Sequence, residues 1–174
     1  LADLRAAATS TYRLEAALQH AELAESAHAR RRRLEAWVDE QVRASKRTSK
    51  GERSREQLLR DAEKQAAYTL LNRLVLLRLL EAPAPDEGAP LVAPAVLAGG
   101  WNSPAYRQFK DAAPALCDDA TEGYATLLAL VFDELALDLP GLFGSTGVVE
   151  LIPVPAATLR AVVDALNAPE LETC

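Results

Sequence analysis

The residues of this chain that carry chemistry are few and scattered. Its two histidines, His20 and His28, stand eight positions apart. In a helix rising about 1.5 Å per residue that separates them by roughly 12 Å, too far to share one metal ion. Both read as solvated helix residues, and neither lies near a Ser or Cys elbow that it would activate. Gly141, Gly144 and Gly147 recur every third residue. They lack the Lys-Ser/Thr of a phosphate loop and the G-x-G-x-x-G of a dinucleotide fold, so a loop between helices is expected. The acid pairs Asp118/Asp119 and Asp133/Glu134 read as a helix cap and a solvated helix edge. No catalytic residue, metal ligand or cofactor-binding residue is assigned in this chain.

Charge is the stronger signal. The chain carries a formal net charge of −6, unevenly laid. Residues 30–55 hold ten bases against four acids, and residues 83–174 hold three bases against thirteen acids. A concentrated basic segment on an acidic body is the footprint of a surface that seeks phosphates. The candidate DNA-phosphate contacts are Arg30, Arg31, Arg32, Arg33, Lys46, Arg47, Lys50, Arg53 and Arg55; Arg43 belongs to the same segment. The plainer reading of the same residues is a solvated helix face followed by a loop.

These residues must be positioned by helices. Of 174 residues, 34 are Ala and 29 are Leu, against nine aromatics. The best helix formers therefore dominate and strand formers are scarce. From Leu4 through Ala7, Thr11, Leu14, Leu18 and Ala21 a narrow apolar seam repeats at three and four. It fades at Glu25 to Arg33 and resumes at Leu34, Trp37, Val38 and Val42. Residues 3–44 are thus one long helix with a phase change, or two helices. Residues 45–53 contain no apolar side chain and read as a mobile linker.

Ser54 and Gln57 then form a capping box, opening a helix that runs to about Glu81. Between Leu70 and Leu80 only Asn72, Arg73 and Arg78 are polar. A helix apolar nearly all round is expected to be buried nearly all round. The stretch 82–102, rich in Pro and Gly, is an irregular connection. Ser103-Pro104 starts a short helix ending near Cys117. A helix at about 120–138 follows, capped by Asp118 and Asp119. Val148 to Ile152 form an apolar run that fits a short extended piece, and a last helix covers about 156–167.

Within the central helix, Tyr68 and Asn72 share a face and Arg73 lies beside them. A buried Arg must meet carbonyls or carboxylates. Tyr68, Asn72, Arg73 and Arg78 are read as a structural polar network fixing helix packing, or else as a contact to a neighbouring domain or ligand.

The pattern Ala67-Tyr68-Thr69-x-x-Asn72-Arg73-Leu74-x-x-x-Arg78-x-x-Glu81 resembles the N-terminal helical region of large bacterial adenine-specific DNA methyltransferases, including type IIG restriction-modification enzymes and the methyltransferase of BREX phage-defence systems. The resemblance continues through Gly99-Gly100-Trp101, Asp133-Glu134-Leu135, Leu139-Pro140-Gly141-Leu142-Phe143-Gly144 and Leu151-Ile152-Pro153-Val154-Pro155, spanning roughly residues 30–174. It implies an enzyme that moves a methyl group from S-adenosylmethionine to N6 of adenine in duplex DNA, flipping the base to do so. The family's cofactor loop and Asn-Pro-Pro-Tyr motif are absent from this sequence, so S-adenosylmethionine is expected in a downstream domain. A chain that begins at Leu1 and contains no Met fits such a piece of a longer protein.

The expected fold is all-α: an irregular helical bundle around a buried central helix, with a long N-terminal helix or arm. The expected organisation is an arm at 1–44, the linker at 45–53 and a helical domain at 54–174. The expected role is a non-catalytic scaffold or DNA-contact domain, whose partners are duplex DNA and its own catalytic domain. The alternatives are a protein-interaction domain, dimerising through the seam of the N-terminal helix, and a stand-alone nucleic-acid-binding module. No stretch approaches the ~20 apolar residues of a membrane span. Two cysteines 57 positions apart form no disulfide framework, so a cytoplasmic location is expected.

Overall fold

In the computed structural model the described residues are 1–46, 53–83, 89–145 and 147–169. They are all-α, with no strand among them: α1 (Ala2–Tyr12), α2 (Glu25–Lys46), α3 (Arg55–Leu80), α4 (Pro104–Ala112), α5 (Tyr124–Asp138), the single turn α6 (Pro140–Phe143) and α7 (Ala156–Leu166). Short 3-10 turns punctuate the connections. The chain groups into two units, Leu1–Thr69 with Thr146–Pro155, and Leu70–Ser145 with Ala156–Cys174. The division falls inside α3 rather than at the linker expected at 45–53. Of that linker, residues 47–52 lie outside the described residues.

In the first unit the N-terminal arm is two helices, and the reason is geometric. The buried face of α1 is Leu4, Ala8 and Tyr12. That of α2 is Arg31, Leu34, Val38 and Ser45. At 3.6 residues per turn, one straight helix would point these faces about a third of a turn apart. The chain instead leaves the helix at Arg13, which adopts a left-handed conformation (φ 47°). Leu4 and Tyr12 then share a core with Leu34, Ala62 and Ala66. Of the seam residues, Leu4 is thereby buried inside the chain, Ala7, Leu14 and Ala21 are half-buried, and Thr11 stays exposed.

Val148, Val149, Leu151 and Ile152 complete this core. The extended piece expected here is a 3-10 turn at Val148–Leu151. An extended segment would alternate its side chains between two faces. A 3-10 turn aligns residues three apart, so 148 with 151 and 149 with 152 face inward while Glu150 stays exposed. The Tyr12 hydroxyl donates to the Leu151 carbonyl, fastening the turn to α1.

The capping box forms as the spacing dictates. The Ser54 amide donates to Gln57 Oε1 (2.9 Å) and the Gln57 amide to Ser54 Oγ (3.1 Å). In the second unit, however, α3 is not buried all round. Leu74 and Leu77 are fully buried, but Leu70 is only half-buried, and Leu71, Val75 and Leu79 stand exposed, Leu79 by 64%. The apolar run therefore supplies one core stripe and one uncovered stripe.

Segment 96–99 is the fixed point of this unit. The Glu81 carboxylate accepts from the Val96, Leu97 and Ala98 amides at 2.7–2.8 Å. Tyr124 donates its hydroxyl to the Val96 carbonyl (2.9 Å), and Asn167 bonds the Leu97 carbonyl and the Gly99 amide. Burial pushes the Tyr124 phenol far above its usual range, reinforced by the negative charges of Glu81 and Asp164. Trp101 stacks on Tyr124 with ring centres 4.0 Å apart. Ser103 caps α4 by accepting from the Tyr106 amide (3.3 Å).

The cap of α5 works by relay. Asp119 accepts from the Thr121 amide and hydroxyl and the Gly123 amide, and Thr121 Oγ1 accepts from the Ala125 amide. These donors, Gly123 first, hold the Asp119 carboxyl below its usual range. Among the described residues no helix is long and apolar enough to cross a membrane.

Replacing Leu74 by Ala should cost about 2–5 kcal/mol through lost burial and a cavity. Replacing Leu79 by Ala, one exposed turn further on, should stay within about 0.5 kcal/mol. Urea denaturation of the two variants checks the assignment of the two stripes.

Candidate nucleic-acid interface

The basic residues of α2 and the start of α3 all belong to the first unit, and the fold sorts them into three groups. Arg31 is withdrawn entirely: it is 2% exposed. Its guanidinium donates to the carbonyls of Tyr12 (2.8 Å), Arg13 (3.0 Å) and Ala16 (2.5 Å), and to Glu35 Oε1. These carbonyls lie at the last residue of α1 and in the turn that follows it, where helical amide partners run out. Arg31 is therefore no phosphate contact, a correction to the sequence expectation. The signal was partial: Arg31, Leu34 and Val38 follow i, i+3, i+7, the spacing of a single helix face, but Arg30 stands in register with Leu34 and Val38 as well.

A second group is exposed but paired. Arg55 reaches Glu35 (3.4 Å) and Asp39 (3.5 Å), tying the start of α3 to α2. Arg53 pairs with Asp61. These pairs are solvent-accessible and weak, so a phosphate can compete for either arginine.

The third group faces solvent. Arg30, Arg33 and Arg43 are exposed, and among the described residues no carboxylate lies within ion-pair reach of them. Arg32 is exposed too, its Nη2 3.4 Å from His28 Nδ1 four residues back. Lys46 is exposed at the end of α2. The positive charge of Arg30 partly offsets the burial that raises the Tyr12 phenol. Arg47 and Lys50 lie outside the described residues.

The polar residues of α3 do not assemble as a network. Tyr68 is 63% exposed and Asn72 also faces solvent. Arg73 is buried alone among the four. It donates to the Leu142 carbonyl (3.3 Å) and the Gly144 carbonyl (2.6 Å), with Phe132 under its guanidinium. Arg78 buries its Nε without a hydrogen-bond partner among the described residues. Gly144 is required where it stands, because a Cβ there would lie 2.3 Å from the Pro140 carbonyl oxygen. Sequence reasoning missed Glu81 as the organiser of 96–98; its only signal was an acid at the end of a helix, where the macrodipole disfavours one.

No protein-family model, curated protein or solved structure matches this chain. Among the described residues no three His, Cys, Asp or Glu side chains are placed to hold a metal ion. Among the described residues the site offers cations on a helix face.

Stripping Arg31 to Ala should destabilise the protein by about 3–5 kcal/mol, the cost of breaking a buried charged hydrogen-bond set. Arg33→Ala should change stability by no more than about 0.5 kcal/mol. Equal effects in thermal and urea unfolding would contradict the division drawn between them.

Proposed function

We propose that this chain is the non-catalytic N-terminal helical region of an S-adenosylmethionine-dependent DNA adenine N6-methyltransferase of a restriction-modification or phage-defence system, and that α2 grips the phosphate backbone of duplex DNA. The methyltransferase part rests on the Tyr68-to-Glu81 pattern and its companion segments. In this chain several residues of those segments have structural work: Arg73 and Gly144 meet each other, and Glu81 holds 96–98 beside Gly99-Gly100-Trp101. The observation that carries the DNA part is the exposed arginine face of α2, Arg30, Arg32, Arg33 and Arg43, clear of internal carboxylates. Methyl transfer itself belongs to a downstream domain, which the reading expects to carry the cofactor loop and the Asn-Pro-Pro-Tyr motif.

A second reading, a helical interaction domain, keeps support from the exposed Leu71, Val75 and Leu79.

Backbone contact of this kind is indifferent to DNA sequence and steep in salt. Each neutralised phosphate adds about −0.9 to the slope of log affinity against log salt. Three to five contacts predict a slope of about −3 to −4.5, with dissociation constants on the order of 10⁻⁴ to 10⁻⁶ M near physiological salt. Replacing Arg32 and Arg33 by Ala should flatten the slope by about two. Fluorescence anisotropy on a labelled duplex measures both, and absence of binding at low salt would leave these arginines as a solvated face.

A further inference from the structure

The second unit holds a groove of about 290 Å³ between the 91–96 segment and α5. Its floor is apolar, from Val92, Val96, Val131 and Leu135, and its rim carries two carboxylates, Glu134 and Asp138. The walls are preformed. Glu81 clamps 96–98, the Val92 amide donates to the Leu80 carbonyl, and the Ala105 amide donates to the Ala95 carbonyl.

The electrostatics of the rim are unresolved within the chain. Glu134 and Asp138 are exposed, four apart on one helix face, and repel each other. Both lie in the C-terminal half of α5, where the helix dipole disfavours acids, and its last turn has no basic residue. Neither carboxylate has a hydrogen-bond or ion-pair partner among the described residues. A cation at this rim relieves all three penalties. Two carboxylates over an apolar floor are a poor metal site, which wants more oxygen donors. They suit a side chain whose aliphatic stem lies on apolar surface while its charged head reaches carboxylate. The volume sits at the bottom of the roughly 300–1,000 Å³ range of ligand pockets, room for one or two long side chains rather than a cofactor.

We propose that this groove docks the arginine stretch of α2 from a second copy of the chain. The same sequence carries both halves of the complementarity, a net +6 over residues 30–55 and a net −10 over residues 83–174. Arg30, Arg32 and Arg33 are exposed and not held by carboxylates among the described residues, and an arginine fork fits a carboxylate in a bidentate pair. Each copy presents one groove and one arginine face, so the contact closes as a reciprocal dimer or runs head-to-tail into larger oligomers. This association does not depend on the DNA reading.

Sedimentation velocity on the full chain tests it. Association should rise with protein concentration at about 20 mM salt and vanish near 0.5 M, where screening shortens to a few ångströms. Glu134→Lys with Asp138→Lys should weaken it by more than about a hundredfold, as like charges then face each other. Arg32→Glu with Arg33→Glu should do the same. Mixing the two charge-reversed proteins should restore association, since each supplies the surface that the other needs. All four positions are exposed, and circular dichroism checks that the variants keep their helices. A single monomeric species at every concentration in low salt overturns the proposal. So does association that survives reversal of the groove, or a mixture that stays monomeric.

Discussion

The first unit depends on one buried guanidinium. A helix that stops leaves its last carbonyls without partners, and α1 stops inside the protein, against α2. Arg31 brings up to five donors in a rigid fork and spends them on Tyr12, Arg13 and Ala16 and on the carboxylate of Glu35. Without that fork, the turn from α1 into α2 would lose the donors that reach the carbonyls of Tyr12, Arg13 and Ala16. With it, Leu4 and Tyr12 reach the same core as Leu34. Glu35 also meets Arg55, so the charge that balances Arg31 also ties α2 to the first turn of α3.

The second unit repeats the device with other residues. Its connections are rich in Pro and Gly and make little regular secondary structure, so their backbone groups need partners from side chains. Glu81 supplies an acceptor to three consecutive amides, and Arg73 supplies donors to the carbonyls of Leu142 and Gly144. Asn167 and Tyr124 finish the accounting around 96–99. Charged groups here meet backbone dipoles more than opposite charges, which satisfies a single buried ion without burying a second one.

This division of labour also defines the functional surface. A charge buried to hold the fold cannot also hold a partner. Removing Arg31 from the basic segment leaves Arg30, Arg32, Arg33 and Arg43 on the solvent side of α2, while Arg53 and Arg55 are engaged by Asp61, Glu35 and Asp39. The acids in and before α5 sort in the same way. Asp119 is consumed by its cap, whereas Glu134 and Asp138 have no partner among the described residues at the rim of a groove.

Helix content was legible from composition, and several helix starts from spacing. The Ser54–Gln57 box and the Ser103 cap formed where the residues stood, because all three bonds span only three positions and need no tertiary partner. The basic segment was legible as charge, but Arg30 and Arg31 both stand in helical register with Leu34 and Val38, so spacing alone did not choose which arginine turns inward. What the sequence did not contain was the identity of the far partners. Arg73 meets Gly144 seventy-one residues away, and Tyr12 meets Leu151 one hundred and thirty-nine away. Nor did an apolar run around α3 say which side would be covered, since burial of a helix face is decided by what packs on it. Local hydrogen-bond rings and side-chain periodicity are written in neighbouring residues. Core membership, the 3-10 turn at 148–151 and the sorting of charges into structural and available sets arise only when distant segments compete for the same interior.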